Sequence, residues 1–164
     1  MPRHRNDDTH SVGGADAPST RAQPRRLRVL LAEDDAAFRE LLASVLRRSG
    51  YEVLEAANGE ELLDHVAFGL LRGEKHRTFD LLVSDIRMPR HTGLEILNGM
   101  RSANLSVPVI LITAFGDPET HRLAYELGAR VLDKPFDMTE LELAVAAAFS
   151  RAGRTPAAQS PSGA

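Results

Sequence analysis

A chain of 164 residues with a formal charge of -3 and no cysteine has room for one ordinary domain and short flanks. The missing cysteines exclude disulfides, thiol catalysis and thiolate-held metal, and the mild charge gives no reason to expect nucleic acid as a direct partner. Apolar runs such as VILI at 109–112 are too short to cross a bilayer, and the polar, arginine-rich start predicts no secretory signal.

Residues 1–26 and 152–164 are rich in Pro, Gly, Ser, Arg and Ala with almost no large apolar side chains. They are expected as disordered tails, because they bury too little apolar area to offset chain entropy. Arg25, Arg26 and Arg28 read as the end of a solvated tail rather than a contact for an acidic partner. Between the tails, residues 27–151 form the expected domain. Its first apolar run is LRVLLA (27–32), followed by a segment of helical spacing that stops at Gly50. YEVLEA (51–56) comes next, then a helix starting at Asn58, with Glu61 three residues on, and stopping at Gly73. The charged stretch EKHRT (74–78) is expected as a loop. FDLLVS (79–84) leads into a helix started by Thr92 and Glu95, a pair at capping-box spacing. VPVILIT (107–113) leads to Asp117-Pro118, an N-cap with proline at the first helical position, and that helix stops at Gly128. ARVLD (129–133) precedes the last helix, whose start is marked by Asp137 and Glu140. The short runs, mostly Val, Leu and Ile, suit buried parallel strands. The β-α alternation, repeated five times, predicts an α/β domain, a doubly wound parallel sheet with helices on both faces.

In such a sheet, sites form at the carboxyl ends of the strands. Those ends carry Glu33, Asp34 and Asp35 on the first strand and Asp85 on the third. The fourth ends in Thr113 and the fifth in Asp133-Lys134-Pro135. Two carboxylates about 5 Å apart repel by about 3 kcal/mol at an effective dielectric near 20, so the cluster stays ionised only with a cation in it. Oxygen ligands without His or Cys favour a hard divalent ion, Mg²⁺ before Mn²⁺ or Ca²⁺. A carboxylate beside Mg²⁺, a lysine and a hydroxyl suits acceptance of a phosphoryl group. Singly, each residue has a plainer use: Asp34 or Asp35 as a helix cap, Asp85 as a turn residue before Pro89. Their joint occurrence at the ends of different strands carries the reading.

These residues resemble the receiver domains of bacterial two-component response regulators. The resemblance rests on AEDDAAFRE with Glu33 and Asp34, DIRMPRHTG with Asp85, LITAF with Thr113 and DKPF with Lys134. It implies the flavodoxin-like (βα)5 fold with strand order 2-1-3-4-5. It further implies phosphoryl transfer to Asp85 from a sensor histidine kinase or a histidine phosphotransfer protein. Mg²⁺ would be held by Asp34, Asp85 and the Arg87 backbone carbonyl, with Glu33 acting on the ion through water. Thr113 and Lys134 would complete the machinery, and Lys134-Pro135 would be cis. Catalysis would extend only to the domain's own aspartyl phosphorylation and dephosphorylation.

The family often places an aromatic residue three before the lysine; here it is Val131. Phe115 and Arg87 stand where family side chains border the path of hydrolytic water. His65, His91 and His121 read as surface or helix residues rather than metal ligands, and Phe149 as core packing. The expected protein is a stand-alone receiver in the cytoplasm that signals to a downstream protein by contact or onward phosphotransfer. No direct nucleic-acid or membrane contact is expected, and a phosphorylation-dependent homodimer is left open. The alternative is a receiver-like module that acts without phosphorylation. An aspartyl phosphatase would need an acid where Arg87 stands, and a P-loop protein would need a motif this chain lacks.

Overall fold

A computed structural model describes residues 25–73 and 77–154. Ten elements alternate along them: β1 (Arg28–Ala32), α1 (Ala36–Arg48), β2 (Glu52–Ala56), α2 (Gly59–Arg72), β3 (Leu81–Asp85), α3 (Gly93–Ser102), β4 (Val109–Thr113), α4 (Pro118–Glu126), β5 (Ala129–Asp133) and α5 (Met138–Arg151). All pairings are parallel, and the strand order is β2-β1-β3-β4-β5. This is the doubly wound sheet the alternation predicts. The expected tails lie outside the described residues, apart from 25–26 and 152–154. The expected loop at 74–78 falls mostly outside them too.

Side-chain alternation divides the core. Leu30, Leu82 and Leu111 point to one face, where Leu62 and Val66 of α2, Leu97 and Met100 of α3 and Ala124 of α4 cover them. Val29, Leu31, Leu81, Val83 and Ile110 point to the other, under Leu42 and Leu46 of α1 and Leu141 and Phe149 of α5. Central β3 and β4 are buried along their whole length, as strands covered on both faces must be. Edge strands β2 and β5 are only partly buried. Among the described residues no helix is long and apolar enough to cross a membrane.

The helix starts follow the sequence with one difference. Asp35 caps α1 by accepting from Phe38 N at 2.8 Å, and Asp117 caps α4 with Pro118 behind it. Thr92 and Glu95 form a full capping box on α3. Asn58 accepts from Glu61 N at 2.9 Å, while the Glu61 carboxylate reaches back to Ala57 N at 2.8 Å. Asp137, however, accepts from Thr139 N at 2.8 Å and not from Glu140 N; the latter bonds the Asp137 backbone carbonyl at 2.9 Å. The first turn is thus wound tighter than the Asp-x-x-Glu spacing predicts.

A buried carboxylate sits at the amino end of the sheet, away from the strand ends considered above. Asp80 is 3% exposed and accepts from Arg25 Nη2 (2.7 Å), Arg154 Nη1 (2.7 Å) and Arg28 N (2.9 Å). Arg28 also bonds Glu52. Arg25 and Arg28, expected in a solvated tail, therefore bond acids of the domain itself. Arg25 and Arg154 tie both flanks of the domain to one point. Asp80→Asn keeps the shape but removes the charge, and a loss of roughly 1–3 kcal/mol is expected from the weakened charge-assisted bonds. Urea unfolding checks this, and the wild-type advantage should shrink in high salt because both arginines are partly exposed.

Candidate functional site

The predicted site residues meet at the carboxyl edge of the sheet because β1, β3, β4 and β5 all end there. Asp85 and Thr113 are the last residues of β3 and β4, while Glu33 and Lys134 immediately follow β1 and β5. Lys134 N bonds the Thr113 carbonyl at 2.7 Å, which carries the parallel pairing one residue past β5. The Lys134-Pro135 peptide is cis.

Lys134 Nζ donates to Asp85 Oδ2 at 2.9 Å and to Glu33 Oε2 at 3.0 Å. Its Nζ also lies over the Phe38 ring, 4.7 Å from the centroid. Asp85 Oδ1 accepts from Arg87 N at 2.9 Å, so both carboxylate oxygens are held. Glu33 is 1% exposed and Asp85 7%, whereas Asp34 stands open to solvent. One carboxylate oxygen from each of the three lies within 4.8 Å of the others. Asp35, the third acid of the run, faces away to cap α1.

The electrostatics follow from this crowding. Burial pushes the Glu33 carboxyl above its ordinary range, and nearby Asp85 adds to that push. The Lys134 hydrogen bond and the Asp35 N–H (3.1 Å) work against it without cancelling it. Burial opposes the Lys134 charge, but its bonds to Asp85 and Glu33 outweigh burial and raise its pKa. The ammonium is therefore firmly charged, yet one positive charge faces three carboxylates. An oxygen-only donor set with two surplus negative charges fits a hard divalent cation such as Mg²⁺.

Thr113 is buried, and its Oγ1 accepts from Phe115 N at 3.1 Å, which leaves its own proton free to be donated. Phe115 is 65% exposed, and the Arg87 guanidinium carbon lies 4.7 Å from its ring centroid. Val131 is half-buried and packs against the core on the α2–α4 face. His91 is exposed and His65 half-buried. His121 Nε2 lies 3.0 Å from Asp133 Oδ1, so its partner is a carboxylate of β5.

Three contributors had little or no signal of their own in the sequence. Phe38 and Arg39, whose Nη1 bonds the Glu33 carbonyl at 2.7 Å, look like ordinary helix residues. Gly93 closes the run DIRMPRHTG, where its role cannot be read; that role is close approach: a Cβ there would lie 2.5 Å from the Asp85 carbonyl oxygen and 2.8 Å from Ser84 Oγ. The helix start is thus seated on the strand end that carries Asp85. Gly93→Ala is expected to cost about 1–3 kcal/mol through overpacking and to weaken Mg²⁺ binding. Urea unfolding and calorimetric Mg²⁺ titration check the two effects.

Comparison with known proteins bears on the fold and the family. The family model described as "Response regulator receiver domain" matches residues 29–146. The transcriptional regulatory protein PdtaR of Mycobacterium tuberculosis is 36% identical over 132 residues, covering 79% of this chain and 59% of that protein. Sporulation initiation phosphotransferase F of Bacillus subtilis is 35% identical over 119 residues, 72% of this chain and 90% of that protein. The chain thus spans little more than half of the first relative but nearly all of the second. Among solved structures, the chemotaxis protein CheY4 of Vibrio cholerae superposes with a TM-score of 0.64 at 28% identity, over 76% of this chain and 99% of that one.

Proposed function

Because the chain belongs to the response regulator receiver domain family, we propose that it accepts a phosphoryl group on Asp85 from a sensor histidine kinase or a histidine phosphotransfer protein. The observation that carries this reading is the convergence of Glu33, Asp34, Asp85 and Lys134 at one sheet edge, with Asp85 bonded directly to the ammonium. An oxygen of the Asp85 carboxylate attacks phosphorus as the bond to the donor nitrogen breaks. Negative charge spreads over the three transferred oxygens, where catalysis is mainly positioning and charge stabilisation. Lys134 and the Thr113 hydroxyl are the groups of this chain poised to meet that charge.

Glu33, Asp34, Asp85 and the Arg87 backbone carbonyl would hold Mg²⁺, with Glu33 acting through water. When bound, the ion neutralises the surplus carboxylate charge and offsets the charge of the incoming phosphoryl group. Signalling then proceeds by protein contact or onward phosphotransfer in the cytoplasm, without direct nucleic-acid or membrane contact. In this reading the domain catalyses only its own phosphorylation and dephosphorylation. The intact protein incubated with acetyl phosphate and Mg²⁺ should gain one phosphate by mass spectrometry. No gain, or an equal gain in EDTA, overturns the reading.

Phe115 bears on how long the phosphate stays. Its ring is apolar and stacked under Arg87, so it cannot orient a water for attack. Phe115→Asn or Phe115→Glu supplies a polar group and should speed phosphate loss at least several-fold. A decay time course checks this; unchanged or slower loss contradicts it.

A further inference from the structure

The loop from β3 to α3, residues 86–92, carries the Arg87 carbonyl, and it is held from two helix starts. One hold is Gly93 of α3, beneath Asp85. The other comes from α2, an element with no residue in the acidic cluster. Gly59 opens that helix and is buried. A Cβ at Gly59 would collide with the His91 carbonyl oxygen and lie 2.7 Å from His91 N, so only glycine lets these two backbones come so close. Gly59 N donates to the Pro89 carbonyl at 3.2 Å, which spends on the loop a first-turn donor that the helix cannot satisfy itself. His91 N bonds the same carbonyl at 3.1 Å and closes a tight turn over the helix start. Within that turn Arg90 lies in the left-handed region, φ 75°, a conformation that persists where the surroundings enforce it. Its Nε pairs with Glu60 Oε2 at 3.0 Å.

We infer that Gly59 is a positioning residue for Mg²⁺. By seating Pro89–His91 against the start of α2, it sets where the Arg87 carbonyl stands relative to Glu33, Asp34 and Asp85. The inference rests on the Mg²⁺ site proposed around Asp85. Arg87 and Pro89 are separated only by Met88, which is itself packed in the core, so a shift of the turn has little slack in which to be absorbed. Arg87 N is already committed to Asp85 Oδ1 at 2.9 Å, so movement at Arg87 also disturbs the phosphoacceptor carboxylate. Mg²⁺ demands near-ideal octahedral geometry, and a displaced carbonyl is a poor ligand for it. Glycine and alanine carry no charge, so an effect of this position on the ion acts through placement alone. Helix α2 thereby takes part in the site without offering it a ligand.

Gly59→Ala tests this beside Gly69→Ala, a substitution on the same helix whose Cβ would meet only Thr78 Oγ1 and the Phe79 ring. In calorimetric Mg²⁺ titration Gly59→Ala should bind roughly tenfold more weakly than wild type, the lower end of what losing a residue that orients a ligand costs. Gly69→Ala should match wild type. A second readout needs no substitution and decides the matter if Gly59→Ala does not fold: in amide NMR of the wild type, the Gly59 resonance should shift as Mg²⁺ is added and that of Gly69 should not. A folded Gly59→Ala that binds Mg²⁺ as tightly as wild type, equal weakening in Gly69→Ala, or a Gly59 amide that Mg²⁺ leaves unmoved would each overturn the inference and leave the Asp85 reading standing. A wild type that binds no Mg²⁺ overturns the metal site itself, and the inference with it.

Discussion

Lys134→Met is expected to destabilise the metal-free protein by roughly 2–3 kcal/mol and to tighten Mg²⁺ binding more than tenfold. The stability loss follows from Glu33, which is 1% exposed and would lose its ammonium partner; breaking a buried charge pair from one side leaves the other charge unpaired. The figure lies below that for a fully enclosed pair because the Lys134 side chain is 23% exposed. Methionine keeps most of the side-chain volume, so lost volume contributes little. The gain in Mg²⁺ affinity has the same electrostatic origin. A unit charge 4 Å from a divalent ion costs about 2 kcal/mol even in the dielectric of water, and that is more than a factor of ten. Phosphoryl uptake should fall despite the tighter ion, since the ammonium that meets the transferred oxygens is gone.

The pH dependence separates this account from simple loss of packing. The Glu33 carboxyl already lies above its ordinary range, and removing the lysine deletes influences that lower it. A carboxyl whose folded pKa exceeds its unfolded value contributes most when protonated, and that contribution is lost as pH rises through the folded value. The deficit of Lys134→Met should therefore shrink on acidification through the range just above the ordinary glutamate pKa. Urea unfolding at several pH values, with and without Mg²⁺, checks both effects. A deficit independent of pH and ion would mean that packing dominates.

Phe149→Ala is expected to cost about 3–5 kcal/mol, the usual range for an enclosed aromatic. Phe149 is fully buried and stacks on Tyr51 with ring centroids 5.2 Å apart, so it joins α5 to the segment entering edge strand β2. Against a typical domain stability of roughly 5–15 kcal/mol, this is a large share. The melting temperature should fall by roughly 10–20 °C. Calorimetry checks the size, and an unchanged denaturant slope would show that the native fold persists.

The strands were legible because each is a short apolar run bounded by turn chemistry, and parallel topology follows from the intervening helices. The site was legible for a related reason: a charge at the end of a buried run is costly, so Asp85 and Lys134 announced themselves by position. The carboxylate of Asp80 did not. It stands next to β3 like any turn residue, and its arginine partners lie 55 and 74 residues away in sequence, beyond any local pattern. Gly93 was visible as the last residue of DIRMPRHTG, but only three-dimensional placement shows that it must pass under the Asp85 carbonyl. The Asp137 spacing predicted a bond to Glu140 N because a propensity rule cannot see how tightly a first turn winds.

Chemical trapping of the modified side chain tests the central claim most directly. Borohydride reduces an aspartyl phosphate to homoserine, which peptide mass spectrometry locates. After incubation with acetyl phosphate and Mg²⁺, homoserine should appear at position 85 and nowhere else, and Asp85→Asn should yield none. Homoserine at another aspartate, its absence from a protein that has gained phosphate, or equal phosphate on Asp85→Asn would contradict the account.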